Sequence, residues 1–160
     1  MNKLFCTRGI RALALLQGLL IAAPVLSAGL VEILDPWARA TVPGQKVGGV
    51  YMQIIARESL RLTGVKSAAA ETAGVHEMKM ENGMMRMRAV PFLQLPAGQP
   101  VKLQPGGFHI MLMDLRRSLV PGQKVKLELT FEDTSKRRHR IVVQALVRDR
   151  EAGTNSHDHQ

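Results

Sequence analysis

The sequence predicts an all-β fold, an antiparallel β-sandwich or barrel, on three observations. Beyond an apolar N-terminal stretch, helical periodicity is almost absent, and short runs alternating apolar and polar residues recur instead. Turn-forming residues separate these runs at Pro43-Gly44, Asn82-Gly83, Pro96-Ala97-Gly98, Pro105-Gly106-Gly107 and Pro121-Gly122. Many short strands at this spacing are the pattern of sandwiches and barrels. The 160 residues argue for one domain.

The N-terminal stretch stands apart from that domain. Lys3, Arg8 and Arg11 precede an uncharged apolar run over 12–26, and Ser27-Ala28 supply small residues for cleavage. This is the layout of a secretory signal peptide, cut after Ala28. The rival is an uncleaved anchor, because the uncharged run extends to Val31 and is just long enough to span a bilayer. Gln17, Gly18 and Pro24 make it a weak span. The organisation expected is therefore a signal peptide over 1–28, a β-domain over 29–149 and a disordered polar tail over 150–160.

Within the domain, strands are expected over 31–35, 49–56, 60–66, 75–80, 84–90, 101–104, 108–114, 124–131 and 140–147. The Ala-rich segment 67–74 reads as a loop or a short helix. Asn82-Gly83 is the strongest hairpin signal, since both turn residues tolerate positive φ. Counting outward from it pairs Glu81 with Met84, Met80 with Met85, Lys79 with Arg86, Met78 with Met87 and Glu77 with Arg88. One face then carries Glu77, Lys79, Arg86 and Arg88, with one opposite-charge pair. The other carries His76, Met78, Met80, Met85 and Met87. A one-residue slip would mix the two sets.

Composition narrows the chemistry. The excess of 22 Lys and Arg over 13 Asp and Glu is spread along the chain, with a small cluster at Lys136-Arg137-Arg138-Arg140. Aromatic residues make up only 4%, which leaves no stacking platform for nucleic acid. A solvated basic surface is the plain reading, with attraction to an acidic partner protein as the other. The only cysteine, Cys6, falls inside the leader, so the exported domain has no thiol and no disulfide. Any metal site must use His, Met, Asp or Glu.

Met78, Met80, Met84, Met85, Met87 and Met111 all lie in or beside the two segments holding His76 and His109. Thioethers are soft ligands that select copper(I). They need no deprotonation and cannot be captured as disulfides in an oxidising compartment. His109, Met111 and Met113 are two apart in succession and share one strand face. The turn at Pro105-Gly106-Gly107 sets His109 near the strand start, at a rim. Methionine on a strand is ordinarily core filling, so core and metal site both stay open on the residues alone.

His76, ten residues, Met87, twenty-one residues, then His109-x-Met111 resembles the ligand signature of the periplasmic copper chaperones of the PCu(A)C type. The resemblance extends to Asp35-Pro36-Trp37-Ala38-Arg39-Ala40-Thr41, Tyr51-Met52-Gln53-Ile54, Leu95-Pro96-Ala97-Gly98, the segment from Pro105 to Leu112, and 127–132. It covers 31–147. Ala56-Arg57 departs from the family, which usually has an asparagine after the tyrosine strand. The resemblance implies a cupredoxin-like, immunoglobulin-like β-sandwich in the periplasm, holding copper(I), Cu(I), near its surface. By carry-over the ligands are His76, Met87, His109 and Met111. Met78 stands as a substitute or supporting residue, and Met113 as core filling or a further one.

That ligand set implies a binding and transfer protein, not an enzyme, and a monomer is expected. The resemblance implies as partner a copper-accepting protein, either a respiratory haem-copper oxidase subunit or another copper chaperone. Rival classes fare differently. A blue-copper carrier needs a cysteine thiolate, which the exported chain lacks. A zinc hydrolase fits poorly, with Glu77 facing away from His76 and no HExxH. A structural or adhesive sandwich with a Met-rich core needs no metal at all. In the tail, His157-Asp158-His159 is a thin copper(II) motif beside plain disorder. His139 receives no role.

Overall fold

The computed structural model of the protein describes residues 29–149. The expected signal peptide (1–28) and tail (150–160, with His157 and His159) lie outside the described residues. The domain comprises β1 Val31–Arg39, β2 Val47–Ala56, β3 Leu60–Ser67, β4 Ala70–Glu81, β5 Met84–Ala89, β6 Leu93–Leu95, β7 Pro100–Leu103, β8 Phe108–Leu115, β9 Lys124–Asp133 and β10 Arg138–Arg148. Among the described residues there is no helix.

The strands form one hydrogen-bonded path, β5-β4-β8-β2-β1-β10-β9-β3-β6, with β7 attached to β2. β2 serves two partners in turn: Val47–Val50 pair with β8, and Met52–Ile55 with β7. The path folds on itself so that its inner faces close one apolar core. Val75, Val50, Ile54, Ile110 and Leu112 from β4, β2 and β8 share that core with Leu60, Leu62, Leu127, Leu129 and Phe131 from β3 and β9. Each such side chain contributes roughly 1.5–3 kcal/mol by leaving water, and the domain closes without a disulfide.

Three features depart from the sequence reading. Segment 67–74 is a loop only at the Ala68-Ala69 turn: β3 runs through Ser67, and β4 begins at Ala70 and pairs with β8 from Ala70↔Leu115 onward. Pairing with a neighbouring strand overrides the helical preference of its alanines. The short β6 is not among the expected strands. The sheet is also not wholly antiparallel, because β1 runs parallel to β10 through Trp37↔Leu146 and Ala38↔Val147.

β1 itself extends past Asp35, although the Asp-Pro pair reads as a turn. Asp35 takes a left-handed φ of 45°, and one extra residue is accommodated between Leu34 and Trp37. Before this bulge Ile33 opposes the core residue Ile54; after it Trp37 opposes Tyr51 and Ala38 opposes Val50. The bulge thus exchanges the two faces of β1. It sends Ala38 inward and delivers Trp37 and Arg39 to the outer face, over the strands that carry the histidines.

Candidate metal centre

His76 and His109 are directly opposite each other on the antiparallel pair β4–β8. Their side chains lie on the outer face, because the neighbouring pair Val75↔Ile110 belongs to the core. The imidazoles stack with centroids 6.1 Å apart and planes inclined by 26°. The row continues across the sheet: Tyr51 on β2 lies 6.5 Å from His109, and Trp37 on β1 lies 4.5 Å from Tyr51. His109 is 6% exposed despite facing outward, because this aromatic row and the turn before β8 cover it.

Backbone carbonyls orient both rings. His109 Nδ1–H donates to Gly107 O at 3.0 Å, and His76 Nδ1–H reaches Gly74 O at a longer 3.4 Å. A carbonyl can only accept, so each Nδ1 carries the proton and each Nε2 keeps its lone pair for a ligand role. Gly107 O also accepts the Met78 N–H at 3.1 Å. That links the turn before β8 to the hairpin arm on β4.

The thioethers lie on either side of the histidine row. The β4–β5 register is the one counted from Asn82-Gly83, with Met78↔Met87 and Met80↔Met85, and the turn residues have φ of 51° and 76°. Met78 and Met87 therefore form the next rung beyond His76 towards the turn. The polar face differs in one detail: Arg88 pairs with Glu81 instead of Glu77. On the other side of the row, Met111 sits between Gly49 on β2 and Gly74 on β4. Neither neighbour has a side chain of its own; the Tyr51 ring takes the space over Gly49, and only the edge of the His76 ring approaches Gly74.

Met78, Met87, His109 and Met111 line one cleft of about 330 Å³, together with Arg39, Tyr51 and the turn at Pro105-Gly106. His76 adjoins it through the stacked imidazoles. Of the four residues expected as ligands, three line the cleft and the fourth stacks on its rim. Met113, read as core filling or a further supporting residue, is half-buried on the outer face, opposite Thr72 and Val47, and does not fill the core. The Met-rich core of the adhesive reading is likewise absent. Among the described methionines only Met52 is buried.

The sequence reading gave no role to Trp37, Arg39, Tyr51 or the flanking glycines. The Tyr51 ring folds back over Gly49, where an added Cβ would lie 2.5 Å from the phenol oxygen. Burial pushes the Tyr51 phenol above its ordinary pKa, although nearby Arg39 pulls the other way. The Arg39 guanidinium carbon sits 5.8 Å from the Tyr51 ring centre, and its buried Nε has no hydrogen-bond partner. The alternation Gly49-x-Tyr51 was the available signal, but it gains meaning only once β8 is known to lie alongside. Among the described residues no three His, Cys, Asp or Glu side chains group closely enough to hold a metal. The other soft donors beside the two imidazoles are the thioethers of Met78, Met87 and Met111.

Fold and site together define a β-sandwich domain carrying paired histidines and methionines on one outer face. The family described as "Putative lipoprotein LpqE-like" matches residues 31–143, and the chain belongs to this family, the PCu(A)C type that its signature resembles. The chain is 33% identical over 113 residues to a putative lipoprotein, Lxx21020, of Leifsonia xyli subsp. xyli, a match covering 70% of this chain and 68% of that one. Among solved structures it is similar to the copper-bound PCuAC domain from PmoF2, with 26% identity, a TM-score of 0.62 and coverage of 76% and 94%. It is also similar to the copper(I) form of DR1885 from Deinococcus radiodurans, with 28% identity, a TM-score of 0.52 and coverage of 77% and 83%.

Proposed function

We propose that this protein is a copper(I)-binding metallochaperone of the cell envelope, with His76, Met87, His109 and Met111 as ligands of its cargo. The observation that carries the reading is the pair of outward histidines on adjacent strands, each with Nδ1 held by a carbonyl and Nε2 free, beside thioethers on the same face. Two neutral imidazoles and two neutral thioethers leave the ion its single positive charge. Soft donors favour copper(I), whereas copper(II) prefers harder, tetragonal surroundings. The Arg39 charge at the cleft adds to this preference, since it repels a divalent ion more than a monovalent one.

Delivery follows from the unequal exposure of the ligands. Met87 is 44% exposed while His109 is 6% exposed. An incoming donor displaces Met87 first and the buried imidazole last. The acceptor we infer is the copper centre of a haem-copper oxidase or another copper chaperone. Copper-bound neighbours of this family support the cargo. The description of the Leifsonia relative as a putative lipoprotein and the leader-like apolar stretch of this chain support export to the periplasm.

The test is a copper(I) titration against a chromogenic chelator, followed by X-ray absorption of the loaded protein. One retained equivalent with mixed nitrogen and sulfur neighbours is expected. Retention of none, or neighbours without sulfur, overturns the assignment.

A further inference from the structure

The cleft leaves most of the hairpin's methionines unused. Met80, Met84 and Met85 are 59%, 57% and 51% exposed, so core filling does not account for them. The β4–β8 ladder ends at Glu77↔Phe108, and beyond it β4 and β5 continue as a two-stranded arm. Such an arm is marginally stable in water, and exposed thioethers add nothing to it that a β-branched or polar residue would not. The opposite face of the arm is already solvated and ion-paired, with Glu81 contacting Arg86 and Arg88.

Met80 and Met85 are direct cross-strand partners on the face of His76, Met78 and Met87. Side chains so placed start about 5 Å apart at Cβ. Methionine has three rotatable bonds and a terminal soft sulfur, so the two thioethers can close on one ion between them. Successive rungs on one face are about 7 Å apart. The arm therefore presents a graded series: Met80/Met85, then Met78/Met87, then the imidazoles of His76 and His109.

We propose that Met80 and Met85 form a second, weaker copper(I) site, an entry station that loads the cleft. It rests on the copper reading above. Two exposed thioethers without an imidazole hold the ion loosely, which suits capture and release. Transfer inward exchanges one neutral sulfur for another and then for nitrogen. The ion stays monovalent, no proton moves, and no oxidant or reductant is needed.

The experiment uses the purified protein with carbon-13-labelled methionine methyl groups, titrated with silver(I) nitrate as a redox-inert stand-in for copper(I). The first equivalent is expected to shift the Met87 and Met111 methyls. The second is expected to shift Met80 and Met85, with buried Met52 unmoved as an internal control. In parallel, M80L/M85L is loaded from a copper(I)–chelator complex. Leucine matches methionine in volume, and both positions are exposed, so its thermal unfolding should match the parent. It should keep the tight equivalent, lose the weak one and load several-fold more slowly. A wild type in which the Met80 and Met85 methyls ignore the second equivalent, or move with the first, overturns the proposal. So does a double variant that binds and loads like the parent. If no methyl moves at any step and no copper(I) is retained, the copper reading itself has failed.

Discussion

Gly49 shows how one missing side chain shapes the cleft. A Cβ there would meet the Tyr51 Oη at 2.5 Å and Cζ at 2.9 Å, and the ring cannot retreat easily between Trp37 and His109. Gly49→Ala should therefore cost about 1–3 kcal/mol, the usual range for overpacking. It should also weaken copper(I) retention by displacing the ring that covers His109. Thermal unfolding and chelator competition check the two effects, and an unchanged pair would mean that Tyr51 is freer than its packing implies. The two methionines of β8 separate ligand from neighbour. Met111→Leu should lower copper(I) affinity by about tenfold or more, equivalent to roughly 1.4 kcal/mol. Met113→Leu, outside the cleft lining, should leave affinity unchanged. Equal losses from both would move the site along β8.

At the scale of elements, legibility in the sequence followed how local each signal is. Asn82-Gly83 specifies its own turn geometry, so every pair of the β4–β5 hairpin was readable from two residues. Residues 67–74 carry no such signal; only β8 alongside makes 70–74 a strand. Asp35-Pro36 reads locally as an end, yet the parallel partner β10 carries β1 onward, helped by the Asp35–Arg148 ion pair. β6 is three residues between prolines, too short to show a period. The candidate ligands were proposed from a resemblance to a family signature, whereas the cover of Tyr51, Trp37 and Arg39 depends on a bulge visible only in three dimensions. Because the hairpin is locally specified, its stability should be locally adjustable. Gly83→Val puts a β-branched residue at φ 76°, at a cost of roughly 1–3 kcal/mol. Amide exchange should quicken over Lys79–Arg86 while the β9 amides, deep in the core, stay protected. Uniform quickening would show that the arm does not open on its own.

For the whole molecule, β4 and β8 serve the core with one face and carry candidate ligands on the other, whereas β9 and β10 carry none of them. The four candidate ligands sit on β4, β5 and β8, whereas a polar anchor closes the β9–β10 connection. Asp133 is only 4% exposed. Its Oδ1 accepts the Ser135 and Arg137 backbone N–H groups at 2.8 and 3.0 Å, and its Oδ2 accepts Arg137 Nε at 2.8 Å and His139 Nε2 at 3.2 Å. Burial alone would raise the carboxyl pKa, but the hydrogen bonds from His139 and Arg137 outweigh it and pull the value from 3.8 to about 2. A carboxylate depressed by folding stabilises the native state above its unfolded pKa, and that contribution disappears as pH falls through the folded one. The midpoint of thermal unfolding should accordingly drop between about pH 4 and pH 2. In Asp133→Asn this part of the acid dependence should vanish, while stability at pH 7 falls because the amide nitrogen cannot accept from Arg137 or His139. Copper(I) retention by the folded variant at pH 7 should match the parent, since the substitution touches none of the proposed ligands. An Asp133→Asn protein with the parent's acid profile would show that other carboxylates govern the acid limit. A variant that unfolds normally yet loses copper would show that the two sets of strands are coupled.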